Sequence, residues 1–136
     1  MKHLSSGIIE LGTWWGNFSL YFLLYCFNQE KEFFTYDVVR RKGSRLKRLL
    51  NFDAHHRKKD IFEYQAEIIK EIQKPGRTIL FCDNGDKPRE IKTFWPYLKE
   101  GDIMAVHDWL TEVKPADLPS SSVIMLEEAE TIWLKK

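Results

Sequence analysis

Between residues 7 and 106 the chain alternates short runs rich in β-branched and aromatic residues with stretches of helical periodicity. The strand-like runs are 7–11, 32–38, 77–82 and 102–106, with a weakly marked extra strand near 54–57. The helical stretches are 17–28, 44–50, 62–73 and 88–99. In the third of these, Ile61, Tyr64, Ile68, Ile69 and Ile72 recur at helical spacing, so one face is buried. Pro75 and Gly76 end that helix, Gly101 ends the next, and Pro88 suits a first turn, where its missing amide costs nothing. Strands joined through helices run parallel with right-handed crossovers. The pattern therefore predicts an α/β fold, with a mostly parallel sheet covered by helices on both faces. Residues 122–127 and 131–134 change character. Two strand-like runs separated by a few polar residues predict an antiparallel C-terminal hairpin and so a mixed sheet.

At 136 residues and 43% hydrophobic content the chain is read as one domain with a core of its own. Its 21 basic and 20 acidic side chains nearly cancel, so overall charge points to neither nucleic acid nor membrane. The longest apolar run, about residues 20–27, is too short to cross a bilayer and lacks the flanks of an export signal. A cytoplasmic setting is the expectation. Cys26 and Cys82 sit in apolar surroundings without metal-ligand spacing, which fits buried thiols better than a disulfide or a zinc site.

Function is most legible where the first strand meets the first helix. Gly12 and Gly16 bracket Thr13, Trp14 and Trp15, and Asn17, Phe18 and Ser19 open the helix. Glycine permits close backbone approach, and the first helical amides have no internal partners, so such a turn attracts carboxylate or phosphate oxygens. The spacing is not that of a dinucleotide fingerprint, which places a third glycine where the helix packs on the strand. In parallel α/β sheets ligands sit at the carboxyl ends of the strands. Those ends carry Glu10, Asp37, Asp60, Asp83 and the pair His107 and Asp108. Carboxylates near helix starts also stabilise helix dipoles, which accounts for any one of them singly. As a set they describe a polar, cation-friendly cleft.

In this order, Glu10, Gly12 and Gly16, then Asp37, Asp60 with Ile61, Asp83 and the 107–108 pair, the chain resembles the class I S-adenosylmethionine-dependent methyltransferases over about residues 7–110. The likeness is to the metal-assisted O-methyltransferase and cephalosporin-hydroxylase-like branch. It implies a Rossmann-like three-layer sandwich, here a single minimal domain lacking an N-terminal cap. It implies a cofactor site built from Glu10, Gly12, Thr13, Trp14, Gly16, Asn17, Phe18, Ser19, Asp37, Val38, Asp60, Ile61 and Asp83. Trp14 takes a position often held by glycine. Asp37 would accept both ribose hydroxyls, and Asp60 with Ile61 would lie beside the adenine, roles that suit a two-acceptor carboxylate and an apolar wall. The resemblance also implies a divalent cation, Mg2+ or another, on Asp83, Asp108 and His107. His107 stands where the branch usually has a carboxylate, and imidazole suits softer metals than magnesium.

Methyl transfer is an in-line displacement, so the enzyme mainly aligns the acceptor and removes its proton. Lys87, desolvated beside a cation, is the first candidate base and His107 the second, with Asp83 beside them. A solvated lysine and a structural histidine are the alternatives. The expected reaction is O-methylation of a small-molecule acceptor. Alternatives are a protein that binds or degrades S-adenosylmethionine without methylating an acceptor, and a basic RNA-binding or RNA-modifying module. The last rests on Arg40, Arg41, Lys42, Arg45, Lys47, Arg48, Arg57, Lys58 and Lys59 with His55 and His56, a run that a solvated helix face explains equally. The first strand begins within ten residues of the start, so no cap covers the cleft, and apolar surface left there predicts a homo-oligomer.

Overall fold

The computed structural model describes residues 5–39, 47–48 and 50–136. Their strands are β1 (Ser5–Leu11), β2 (Glu32–Asp37), β3 (His56–Lys58), β4 (Arg77–Cys82), β5 (Ile103–His107), β6 (Val123–Glu127) and β7 (Thr131–Lys135). The α-helices are α1 (Asn17–Asn28), α2 (Gln65–Ile72) and α3 (Lys87–Phe94). The strands form one mixed sheet in the order β3-β2-β1-β4-β5-β7-β6. β1 to β5 pair in parallel, and β7 runs antiparallel to both β5 and β6. The α/β alternation, the short third strand and the C-terminal hairpin all stand as expected.

Two apolar clusters sit against this sheet. In the larger, Ile68 and Ile72 of α2 and Ile91 and Phe94 of α3 pack with Ile9, Leu11, Leu80, Met104, Val106, Ile132 and Leu134. In the smaller, Leu23 and Cys26 of α1 pack with Ile8, Phe33 and Phe52. The strand period of two explains the split, because Ile8 and Ile9 point to opposite faces. Each buried aliphatic side chain contributes roughly 1.5–3 kcal/mol. Both cysteines are buried and free, and burial pushes the Cys26 thiol up to about 11 and the Cys82 thiol well above its ordinary value. Among the described residues no helix is long and apolar enough to cross a membrane.

The last helical stretch ends earlier than its periodicity suggests. α3 stops at Phe94 and residues Trp95–Tyr97 tighten into a 3-10 turn. Pro96 has no amide to continue the helical ladder and disfavours helical geometry at the residue before it. Of the stretch at 44–50, only Lys47, Arg48 and Leu50 lie within the described residues.

The amino-terminal ends of β4 and β5 are locked together by Asp102. This buried carboxylate accepts the amides of Thr78 (2.8 Å) and Lys99 (2.8 Å), and the Lys99 ammonium lies 3.0 Å away. Replacing it with alanine leaves the Thr78 amide buried without this acceptor. Asp102→Ala is expected to lower unfolding free energy by about 3 kcal/mol, measured by urea denaturation, without changing the far-ultraviolet circular dichroism of the folded chain.

Candidate functional site at the carboxyl rim

β1 lies between β2 and β4, and its carboxyl end joins them. The Gly12 amide donates to the Tyr36 carbonyl (2.8 Å) and the Asp83 amide donates to the Leu11 carbonyl (2.8 Å). Gly12 has φ +92°, and a Cβ there would overlap the backbone of Asp83 and Asn84. The first duty of this glycine is thus to let two loops meet. Gly16 begins α1 in the left-handed region with no side-chain cap. The Lys47 side chain occupies the space a Cβ would need there, donating to the Trp15 carbonyl with its ammonium 5.0 Å from the Phe52 ring centre.

Between the glycines, Trp14 adopts φ +47°, the conformation glycine usually supplies. Its amide donates to Asp37 Oδ2 (2.9 Å), while Asp37 Oδ1 accepts the Val39 amide (2.9 Å). Thr13 and Thr35 share a buried hydroxyl contact of 2.6 Å. Asp37 is therefore tied to the turn. A carboxylate offers about four lone-pair sites, so it keeps acceptor capacity after these two bonds. Val38 beside it is exposed.

Glu10 is only 1% exposed and does not face a cleft. The Ser19 hydroxyl donates to its carboxylate beneath α1, with Thr35 also within hydrogen-bonding reach. Burial raises its pKa to about 8 against the opposing bonds from Ser19 and Thr35. A ligand-facing Glu10 and Ser19 are accordingly corrected to a sealed pair under the turn. Ile61 is corrected too. Its side chain is fully buried among Ile68, Ile91 and their neighbours, because it closes the core below the loop, and so presents no wall to a purine. Asp60 lies beside Asp37, since the Lys59 amide donates to the Asp37 carbonyl. Its Oδ1 accepts the amides of Phe62 (2.8 Å) and Glu63 (3.1 Å), starting the turn into α2.

The second loop, after β4, is braced from within. Asp86 caps α3 by accepting the Arg89 amide (3.2 Å), and Glu90 accepts the Asn84 amide (3.1 Å). Glu90 is buried, and burial raises its pKa to about 8. Lys87, 3% exposed, places its ammonium 2.6 Å from Asp108, 2.8 Å from Glu112 and 3.3 Å from Asp83. Burial alone would pull this lysine down, but the three carboxylates outweigh it and hold its pKa above the ordinary value. Lys87 is therefore a fixed cation and not the neutral base expected. Burial raises Asp83 against the pull of His107 and Lys87, whereas at Asp108 the bond from Lys87 overrides burial and lowers the pKa.

His107 completes the rim. Its Nδ1 lies 3.3 Å from Asp108 Oδ1 and 3.4 Å from Asp83 Oδ1, and its Nε2 lies 3.6 Å from Glu130. The buried Nδ1 makes no hydrogen bond. Phe18 packs its ring 5.5 Å from the imidazole and 5.2 Å from Phe81, linking the start of α1 to the end of β5. Ligand atoms of Asp83, His107 and Asp108 lie within 4.8 Å of one another. Two carboxylate oxygens and an orphaned imidazole nitrogen fit a divalent cation of the manganese, iron or zinc type better than magnesium.

Thus Gly12, Thr13, Trp14, Gly16, Asn17, Phe18, Asp37, Val38, Asp60, Asp83, Lys87, His107 and Asp108 share one rim, with Glu10, Ser19 and Ile61 interior to it. Glu90, Glu112 and Glu130 were missed. Glu112 and Glu130 lie in segments without periodic signal, and only chain reversal after β5 brings them back. Of the basic run, Arg40, Arg41, Lys42 and Arg45 lie outside the described residues. Lys47 is buried, Arg57 donates to the Ala54 carbonyl, Lys59 pairs with Glu67 at 2.5 Å, and His55 Nδ1 lies 3.0 Å from the Phe33 carbonyl. No protein-family model matches the chain, and no curated protein is similar to it.

Glu10 gives this site a pH signature. Its folded value of about 8 exceeds the ordinary 4.5, so its contribution to stability is complete below about pH 4.5, declines as pH rises, and is gone above about pH 8. Up to about 4 to 5 kcal/mol is involved. Urea titrations from pH 5 to 8.5 are expected to show falling stability, and Glu10→Gln is expected to reduce the slope by about half, the rest belonging to Glu90, whose pKa burial also raises to about 8.

Proposed function

We infer that the protein is a Rossmann-like, S-adenosylmethionine-dependent methyltransferase acting on an oxygen of a small-molecule acceptor. The observation that carries this reading is the position of the rim within the sheet. From β1 the chain passes through α1 to β2 on one side, and from β4 it passes through α3 to β5 on the other. The carboxyl ends of β1 and β4 therefore mark the topological switch point, where doubly wound sheets bind their ligands. The Gly12–Gly16 turn and the Asp83 loop meet there.

In this reading the turn and Asp37 hold the amino-acid arm and the ribose, and the cofactor when bound supplies an activated methyl group. Phe18 and Phe81 exclude water beside His107. Lys87 stays charged and holds Asp83, Asp108 and Glu112 in place, so proton removal falls to His107. Alternatively, Asp83, His107 and Asp108 would hold a divalent cation, which would take the imidazole lone pair and itself favour the ionised acceptor oxygen. RNA binding through the basic stretch has less support, because Lys47, Arg57 and Lys59 bond to the protein itself and only Arg48 and Lys58 of its described lysines and arginines are exposed.

Calorimetry with S-adenosylmethionine and its demethylated product is expected to give micromolar binding, weakened about tenfold or more by Asp37→Ala. His107→Asn is expected to keep that binding and to lose roughly a hundredfold in methyl transfer to a catechol or hydroxy-acid panel, read as demethylated product. Absence of cofactor binding overturns the proposal. Binding with turnover of the cofactor but no methylated acceptor assigns the chain to cofactor degradation instead.

A further inference from the structure

The outer surface of α1 does not resemble that of a solvent-facing helix. Residues 12–29 contain no charged side chain. Only Ser19, Leu23 and Cys26 of α1 are buried, so the helix uses a narrow stripe to pack on the sheet. Around the opposite side Tyr21, Leu24 and Tyr25 are between 45 and 74% exposed, Phe27 on the flank is 79% exposed, and Trp14 and Trp15, at 63 and 53%, extend the patch past the helix start. A surface helix normally carries polar and charged residues there.

We propose that this face of α1 is the interface of a homodimer, in which α1 of one protomer packs on α1 of a second copy about a two-fold axis. Area is the first argument. Aromatic side chains carry about 150–250 Å² each, so at these exposures the patch offers about 800 Å², the amount each partner contributes to a standard interface. Charge is the second. A surface without charges meets its own copy with no like-charge repulsion, and a two-fold axis perpendicular to the helices opposes their dipoles. Composition agrees, since tyrosine, tryptophan and phenylalanine are the residues enriched at interface centres, while Tyr21 and Tyr25 retain hydroxyls for bonds at the edge. A membrane surface would be matched by a cationic rim; among the described residues Lys31 and Lys47 border this patch, and both are engaged, Lys31 with the Tyr25 hydroxyl (3.3 Å) and Lys47 with the Trp15 carbonyl.

The exposed edge strand β6 is the rival surface, with Val123, Ile124, Met125 and Leu126 all about half exposed or more. Its register shifts between Ile124 and Leu126, a bulge of the kind that disrupts edge-to-edge pairing.

The test is the oligomeric state of the whole chain by light scattering and sedimentation across about 1–100 µM, where mass action resolves a micromolar dimer. The expected result is a dimer whose dissociation constant rises about a hundredfold or more in Tyr21→Arg and in Leu24→Lys, with circular dichroism and melting unchanged, and which Ile124→Lys leaves intact. A Tyr21→Cys variant, oxidised, is expected to give a crosslinked dimer. A monomer at the highest concentration overturns the proposal, as does a dimer lost only in Ile124→Lys. A monomer that binds neutral phosphatidylcholine vesicles also overturns it and assigns the patch to a lipid surface.

Discussion

The meeting of two backbones at Gly12 is the constraint from which the rim follows. β1 is hydrogen-bonded to β2 on one side and β4 on the other, and both ladders extend one residue past the strand, to Gly12 and Asp83. No side chain fits between the two loops at that point. Their closeness sets Asp37 against the Trp14 amide and sets the Asp83 loop beside the start of α1. A wider separation would part the two loops while leaving the sheet intact.

Electrostatics at this rim is resolved in two ways. Glu10 and Glu90, buried below the loops, are held largely protonated by desolvation and act as neutral hydrogen-bonding braces. Asp83, Asp108 and Glu112, nearer the surface, are gathered around the single ammonium of Lys87. Removing one partner from such a cluster leaves uncompensated charge, so the cluster positions the β4 and β5 loops relative to each other. His107 sits at its edge with one ring nitrogen enclosed by carboxylates and its ring against Phe18. Charge and position at the rim are therefore set mainly by groups far apart in the chain.

Much of the architecture was legible because it rests on local periodicity. The apolar run at 79–82 and the helical spacing of 61–72 report burial, and glycines and prolines mark where each element stops. Pro96 marks the one early stop, and it was read as lying inside a helix because the apolar spacing continues past it. The site was legible only as a set of strand ends. Which carboxylate faces solvent was not: Glu10, one residue inside the end of β1, is covered by Ser19 and Thr35, whereas Asp37, the last residue of β2, is half-buried. Ile61 did carry a local mark, since the helical spacing of 61–72 puts it on the buried face.

By itself the sequence determined the alternation of elements, the hairpin at the end and the placement of acidic residues at strand ends, because these depend on backbone conformation and on neighbours within a few positions. Only the tertiary structure decided the strand order, the burial of Glu10, the protonated state of Lys87 and the convergence of Asp83, His107 and Asp108. Those properties depend on desolvation and on Coulomb interactions among residues far apart in the chain, 25 positions between Lys87 and Glu112 and more between Glu10 and Asp83. Such interactions exist only once the chain has folded.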